Sequence, residues 1–451
     1  MAFSTWYNRT LNKIWGFVED RTSMRKWALR PQPEFTFKPS YWTGAFVVNA
    51  FLYQVVSGAL LLLYYQPSTG TTLTACGQAV GAQSAAPAAW CSTYYIIHSV
   101  PMGSLLLSSH LYGAYAMIFL MFVHFFRGYY MGVYKAPREF SWMVGTLLLI
   151  TTMGMGFTGY LLPYTQISYN ATNVGLVLAL RLPTFGPLLG PFILADGTSQ
   201  GLLSRMFDAH VLLLPLALAA LLYAHIALFE SHGIAPPASS DPTQRRRYTT
   251  KDDERHVPFM PHIFWYITKW GLLYVGVLLG IAALWPWSLP TYYGNLAAAA
   301  SVTEPDWYFL WLFKLVDFYG VTPVIAVGAT TVLILFVLFL PFLDRSKRTH
   351  PRDRPFFIWL ATSLLGFFIV MTVWGGETPG VQILPTLVAE TIGPIFLVNG
   401  LATVLFHWRY VRSYKRRLAA RAAGYPGVYS PGSVGVPTGA PVGAAEAKAV
   451  D

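Results

Sequence analysis

Eight stretches of about 20 consecutive apolar residues run through this chain, at Tyr41 to Tyr65, Gly103 to Phe126, Ser141 to Leu162, Phe207 to Glu230, Ile263 to Trp285, Val321 to Leu343, Phe356 to Trp374 and Ile383 to Trp408. Each is long enough to cross hydrocarbon as a helix that satisfies its own backbone hydrogen bonds, so the expected fold is an all-α membrane protein with eight transmembrane helices. Only 11% of the residues are charged, against about 25% in a soluble domain. A chain that poor in charge cannot cover itself with a water-soluble surface. No apolar signal segment precedes the first span, which is therefore expected to serve as its own insertion signal.

An even number of spans puts both termini on one side. All but three of the 31 Lys and Arg residues lie at the termini, in the loops between spans two and three, four and five, and six and seven, or, for Lys269, in the adjoining end of span five; the exceptions are Arg181, Arg205 and Lys314. That bias predicts cytoplasmic termini in a multi-pass protein, with a prokaryotic plasma membrane as the expected setting. It also accounts for the net charge of +11 without nucleic acid. The two cysteines, Cys76 and Cys91, are too few for a disulfide scaffold or a thiolate-ligated cluster. With no CxxC there is neither a zinc ribbon nor covalently attached c-type haem. The pair falls in an outer loop without Lys or Arg, open either to a disulfide or to two thiols.

The expected organisation is a cytoplasmic N-terminal segment (1–40), a four-helix domain (41–232), a linker (233–262), a second four-helix domain (263–411) and a disordered tail (412–451). The linker carries Pro236, Pro237 and Arg245 to Arg247. The outer loops around Pro163 to Met206 and Pro286 to Gly320 are long and partly apolar, as in Leu182 to Pro187, which suggests short surface helices with a functional part.

Ionisable residues inside spans are costly and mark function. His110 and His124 lie fourteen apart on the second span, and His210 and His225 fifteen apart on the fourth. At about 1.5 Å and 100° per residue, fourteen residues make close to four turns and about 21 Å. Each of these parallel spans thus offers one imidazole toward the outer side and one toward the inner side, at matched depths. Two stacked pairs are what two six-coordinate haems require. A single membrane histidine more often hydrogen-bonds a neighbouring helix; four in register favour haem. Gly44 and Gly58, and Gly145 and Gly159, are again fourteen apart. Alone they fit close helix packing; so spaced, they leave room for two flat macrocycles.

The stretches His110-x13-His124-x2-Arg127, Lys135 to Trp142, Gly159-Tyr160-Leu161-Leu162-Pro163, Arg205-x4-His210 and Pro305-Asp306-Trp307-Tyr308 resemble cytochrome b of the cytochrome bc1/b6f complexes. The likeness covers about Tyr41 to Phe342 and is weaker beyond. The fifteen-residue histidine spacing, with Pro215 five after the first, is similar to the plastid type, although here the last helices are fused on. The resemblance implies a quinol:cytochrome c (or similar acceptor) oxidoreductase with two non-covalent b-type haems, coupled to proton translocation. It sends one electron of a quinol to a Rieske iron–sulfur protein and a c-type cytochrome, and the other through the haems to quinone at an inner site. Carried over by position, His110 and His210 ligate the outer haem iron, His124 and His225 the inner. Arg127 and Arg205 suit haem propionates. Tyr160, Pro305, Asp306, Trp307 and Tyr308 form the outer quinol site, where a carboxylate takes a proton. A homodimer of complexes is also implied.

Some positions depart from the family. Asp306 stands where a glutamate is usual, and its blander reading is a helix-start cap. Trp42 replaces the cysteine of an additional covalent haem, which is therefore not expected. Leu106 and Leu107 occupy the positions where an arginine often precedes the outer ligand. Ala171 fills a position that mitochondrial relatives give to glycine. Glu230, His232, His262 and Lys269 are candidate proton donors at the inner site. Rival classes are a proton-relay transporter, which tends to show broken helices and inverted repeats, and the diheme anchor of a dehydrogenase, which lacks the Pro-Asp-Trp-Tyr loop.

Overall fold

A computed structural model describes residues 16–71, 86–180, 199–239, 256–294 and 304–422, together with 13, 186, 187 and 190. Eight of its helices are long and apolar enough to cross a membrane. They are α1 (Thr43–Leu62), α3 (Gly103–Tyr130), α4 (Glu139–Leu161), α6 (Ser199–His232), α7 (Phe264–Leu284), α9 (Pro323–Leu343), α10 (Pro355–Glu377) and α11 (Pro385–Ala422). Shorter helices include α2 (Ala88–His98), α5 (Gln166–Leu180) and α8 (Trp307–Val316). The latter two fall in the long loops from which surface helices were expected. "Inner" below means the side of the two termini. Cys91 is disulfide-bonded; Cys76, most of Leu182 to Pro187, Arg181 and the linker arginines lie outside the described residues.

Starts follow local chemistry. Proline, whose missing N–H costs nothing in a first turn, opens α9, α10 and α11, and Thr322 accepts a hydrogen bond from the Ile325 N–H at the head of α9. The last helix runs on through residues 412–422, which the sequence reading puts in the tail. Arg, Lys, Leu and Ala there are good helix formers.

α1, α3, α4 and α6 form a bundle: α1 packs on α3, α3 on α4, and α4 on α6. α7 packs on α1 and α3, although the sequence reading places it in the second half; α9 lies against α4, and α10 carries both α8 and α11. The stretch from Lys135 to Trp142 acts as an inner clasp between the halves. Lys135 Nζ lies 2.8 Å from Asp344 Oδ1, and the Arg354 guanidinium lies 3.5 Å from Asp344 Oδ2. The Tyr134 hydroxyl donates to the same carboxylate at 2.5 Å. All four side chains are buried. Arg138 donates to the carbonyls of His232, Gly233 and Ile234 at the end of α6, and Trp142 to that of Val337 in α9. Near it the N-terminal strand β1 (Pro31–Pro33) pairs antiparallel with β2 (His256–Pro258).

The outer side is tied differently, by rings and backbone. Tyr169 stacks on Tyr293 at 3.6 Å, the Gln166 N–H donates to the Thr291 carbonyl, and Trp90 donates to that of Pro290. These contacts fasten α2 and the start of α5 to the segment after α7. Lys314 is buried and bonds Asp317 and the carbonyls of Thr378 and Val381, so α8 is pinned to the end of α10.

Candidate haem and quinol sites

The four histidines meet in two pairs. His110 faces His210 and His124 faces His225, each with ring centres 6.4 Å apart and planes crossed at 81° and 79°. That gap is about what one metal atom needs, with two metal–nitrogen bonds of about 2 Å and about 1 Å more from each nitrogen to its ring centre. Fifteen residues between His210 and His225 would overshoot four turns by about 60° in a regular helix. The structure resolves this with a π-turn at Ala209–Leu213, which contains His210 and takes up one extra residue. Pro215 follows two residues after it; it has no N–H to give to the residue four before it, so the wider turn loses nothing there.

Hydrogen bonds at Nδ1 fix the tautomers of the outer pair. His210 Nδ1 lies 3.0 Å from the Met155 carbonyl, which can only accept, so Nδ1 carries the proton and Nε2 keeps its lone pair. His110 Nδ1 meets Ser57 Oγ at 2.8 Å while that hydroxyl donates to the Tyr53 carbonyl, giving the same result. His124 Nδ1 meets Thr43 Oγ1 at 2.9 Å. His225 Nδ1 makes no hydrogen bond of good geometry, with the Ser141 backbone beside it.

Each of the four glycines abuts one imidazole. A Cβ on Gly44 would meet His124 Cε1 at 3.1 Å, on Gly58 His110 at 3.2 Å, on Gly145 His225 at 3.2 Å and on Gly159 His210 at 2.5 Å. The glycines thus let the rings lie back against α1 and α4, which is how they make room between the pairs. Arg127 stacks over the Tyr41 ring at 4.6 Å, and its buried Nε has no partner, as a side chain awaiting an anionic group would. Arg205 lies on α6, five residues before His210. These donors, tautomers and glycine faces fit two b-type haems.

The outer residues converge as well. Tyr160, Ala171, Pro305, Asp306 and Tyr308 line one cleft with Phe157, Thr172, Phe309 and Phe313. Trp307 is not among its lining residues; it begins α8 beside Tyr308. Asp306 holds the N-cap position of α8 yet makes no capping bond. Its carboxylate instead accepts from the Tyr115 hydroxyl at 2.6 Å and from that of Tyr308 at 2.9 Å. Burial raises the Asp306 pKa above its ordinary value, and these two donors pull it back. Tyr160 donates to the Glu304 carbonyl. Tyr115 stands outside every motif; its only sequence signal is a tyrosine five residues after a haem-type histidine on a span otherwise apolar there.

Two glycines join cleft and histidines. A Cβ on Gly156 would meet the Tyr308 hydroxyl at 2.6 Å, one turn from Gly159 and His210. On the inner side Glu230 is held by Arg30 at 2.5 Å, His232 Nδ1 bonds the Leu228 carbonyl, and Lys269 lies over the rings of Tyr266 and Trp270. His262 lies in the turn before α7.

Known proteins bear on this geometry. Residues 115–291 match the family described as cytochrome b(N-terminal)/b6/petB, and residues 294–396 match cytochrome b(C-terminal)/b6/petD. The cytochrome b of Sulfolobus acidocaldarius is 33% identical over 425 residues, covering 88% of this chain and 71% of that protein. A menaquinol:cytochrome c reductase cytochrome b subunit of Geobacillus thermodenitrificans is 34% identical over 240 residues, 50% of this chain and 99% of its own. A solved chain of a hyperthermophilic respiratory Complex III shares the fold, with a TM-score of 0.66 at 24% identity over 87% of this chain and 96% of that one. The chain belongs to the cytochrome b/b6 family of bc-type complexes, in the form that fuses both modules.

Proposed function

We propose that this chain is the diheme cytochrome b subunit of a quinol:cytochrome c (or similar acceptor) oxidoreductase of a prokaryotic plasma membrane, with both termini cytoplasmic. It works beside a Rieske iron–sulfur protein and a c-type cytochrome, in a homodimer of complexes. The observation that carries this reading is the shared stretch Gly156 to Gly159: one face receives the cleft's Tyr308, the next turn receives His210. A substrate in the cleft is thereby a neighbour of the outer histidine pair.

Two b haems, held by His110 with His210 and by His124 with His225, would supply a one-electron path from the outer cleft to quinone on the inner side, the quinol's other electron going to the Rieske protein. Arg127 and Arg205 would pair with propionates. The protein's own part is acid–base work and exclusion of water. Asp306 accepts a proton from a quinol hydroxyl; Tyr160, Pro305, Tyr308 and the phenylalanines of the cleft shape an apolar slot around the ring.

Purification of the complex tests this. The expected result is a reduced b-type band, a co-purifying Rieske protein, and quinol-dependent cytochrome c reduction that falls at least about tenfold in Asp306→Asn, as loss of a general base does. Full quinol oxidation by Asp306→Asn at every pH would overturn the assignment of the base. Absence of any b-type band would overturn the haem reading.

A further inference from the structure

Asp306 is one methylene shorter than the glutamate usual in its motif, yet both its oxygens are engaged. Tyr308, two residues on, takes Oδ2; Tyr115, from the middle of α3, takes Oδ1 at the shorter distance of 2.6 Å. We infer that Tyr115 is a positioning residue for quinol oxidation, holding the Asp306 carboxylate at the wall of the outer cleft in its charged, proton-accepting form. The inference rests on the proposed outer quinol site and adds a residue to it.

Three observations carry it. Asp306 lines the cleft and Tyr115 does not, so Tyr115 acts through the carboxylate rather than on the substrate. The Asp306 carboxylate caps no backbone N–H of α8, so the two tyrosine hydroxyls set its orientation. A carboxylate has about four lone-pair sites; two are filled, which leaves acceptor capacity for a quinol hydroxyl. The Tyr115 ring is itself held edge-on against Tyr308 at 6.3 Å.

The groups that bear on Asp306 are the hydroxyls of Tyr115 and Tyr308, with Tyr160 across the cleft and Glu304 beside it in sequence. Among the described residues no cation forms an ion pair with it. Burial favours the neutral acid, and a neutral acid cannot take a proton. The tyrosine donors oppose burial by stabilising the anion. Removing one raises the carboxyl pKa, and activity that needs the anion is then lost at a higher pH as the solution is acidified.

The test measures quinol oxidation by the purified complex between pH 5 and 9. Tyr115→Phe is expected to move the acid limb upward by about one pH unit, the size of one hydrogen bond to a charged group. Its rate above the limb stays near that of the parent, its quinol KM within about twofold, and its haem spectrum unchanged. In Asp306→Glu the carboxylate sits one methylene further out, and adding Tyr115→Phe then shifts the limb much less. An infrared titration of the Asp306 carboxyl band reports the same upward shift without turnover. An unmoved limb and carboxyl band in Tyr115→Phe, or an equal shift in both backgrounds, would overturn the inference. Asp306→Asn separates it from its premise, because an unaffected rate there removes the base itself, whatever Tyr115 does.

Discussion

The two ends of the four-helix bundle hold the same pair of imidazoles at the same 6.4 Å, but they surround them differently. The outer pair has every Nδ1 satisfied by Ser57, Met155 and Thr158, and adjoins a cleft with a partly buried carboxylate and two tyrosines. The inner pair has one Nδ1 without a good hydrogen bond, and Arg127 is close enough to act electrostatically on His124. α3 has Leu106 and Leu107 where an arginine could have served the outer pair. A nearby cation stabilises the more negative, reduced state of a redox centre. The ligand sets match, so under the proposed function any difference in potential comes from their surroundings: Arg127 acts on His124 itself, whereas Arg205, the outer arginine, is not among the groups acting on His110 or His210.

The strongest way to break the comparison is at the ligands. His210→Ala and His225→Ala should each remove one haem of two, measured as haem per chain, with the other band intact. Loss of both haems from either variant would mean the two ends do not hold their cofactors independently. Next comes the inner clasp. Asp344→Ala leaves Lys135 and Arg354 buried without their carboxylate, and removing one partner of a buried pair costs about 3–5 kcal/mol. A thermal melt in detergent should fall accordingly, whereas Glu230→Ala, whose ion pair with Arg30 is partly exposed, should scarcely move it.

The glycines sharpen the comparison between ends. A Cβ at Gly159 would lie 2.5 Å from His210, but at Gly44 3.1 Å from His124. Overpacking of this kind costs about 1–3 kcal/mol. Gly159→Ala should lose outer haem on dilution or heating, and Gly44→Ala should lose far less of the inner one. Equal retention would show that the two glycine contacts are equivalent.

The smallest effect is at the cleft. Ala171 is buried and lines it, so its methyl should crowd the flat toxophore of a methoxyacrylate inhibitor seated in the cleft. Ala171→Gly should increase sensitivity to such inhibitors by about tenfold, at 1.4 kcal/mol per factor of ten, with quinol turnover little changed. Identical inhibition curves would remove the steric argument.

Spans, histidines, glycines and cleft residues were legible because each obeys a local rule: apolar length, a fourteen-residue period, or a short motif. What escaped depends on long-range geometry. The fifteen-residue spacing breaks the period that makes fourteen meaningful, and only the π-turn around His210 restores the face; Pro215 was its one visible sign. Tyr115 is an ordinary aromatic in a membrane helix until α8 brings Asp306 onto it, 191 positions away. Asp306 itself reads as a helix cap from its position, and its bonds to two tyrosines exclude that. The ion pair of Glu230 with Arg30 also had no local sign, because Arg30 adjoins the segment that the β1–β2 pairing holds.

A redox titration of the visible b-type bands, made on the parent and on His110→Ala, tests the central claim most directly. The parent should show two one-electron components, and His110→Ala should lack the lower-potential one while the higher, beside Arg127, titrates unchanged. A single component in the parent, or loss of the higher-potential signal in His110→Ala, would contradict two stacked haems ordered by the charge around them.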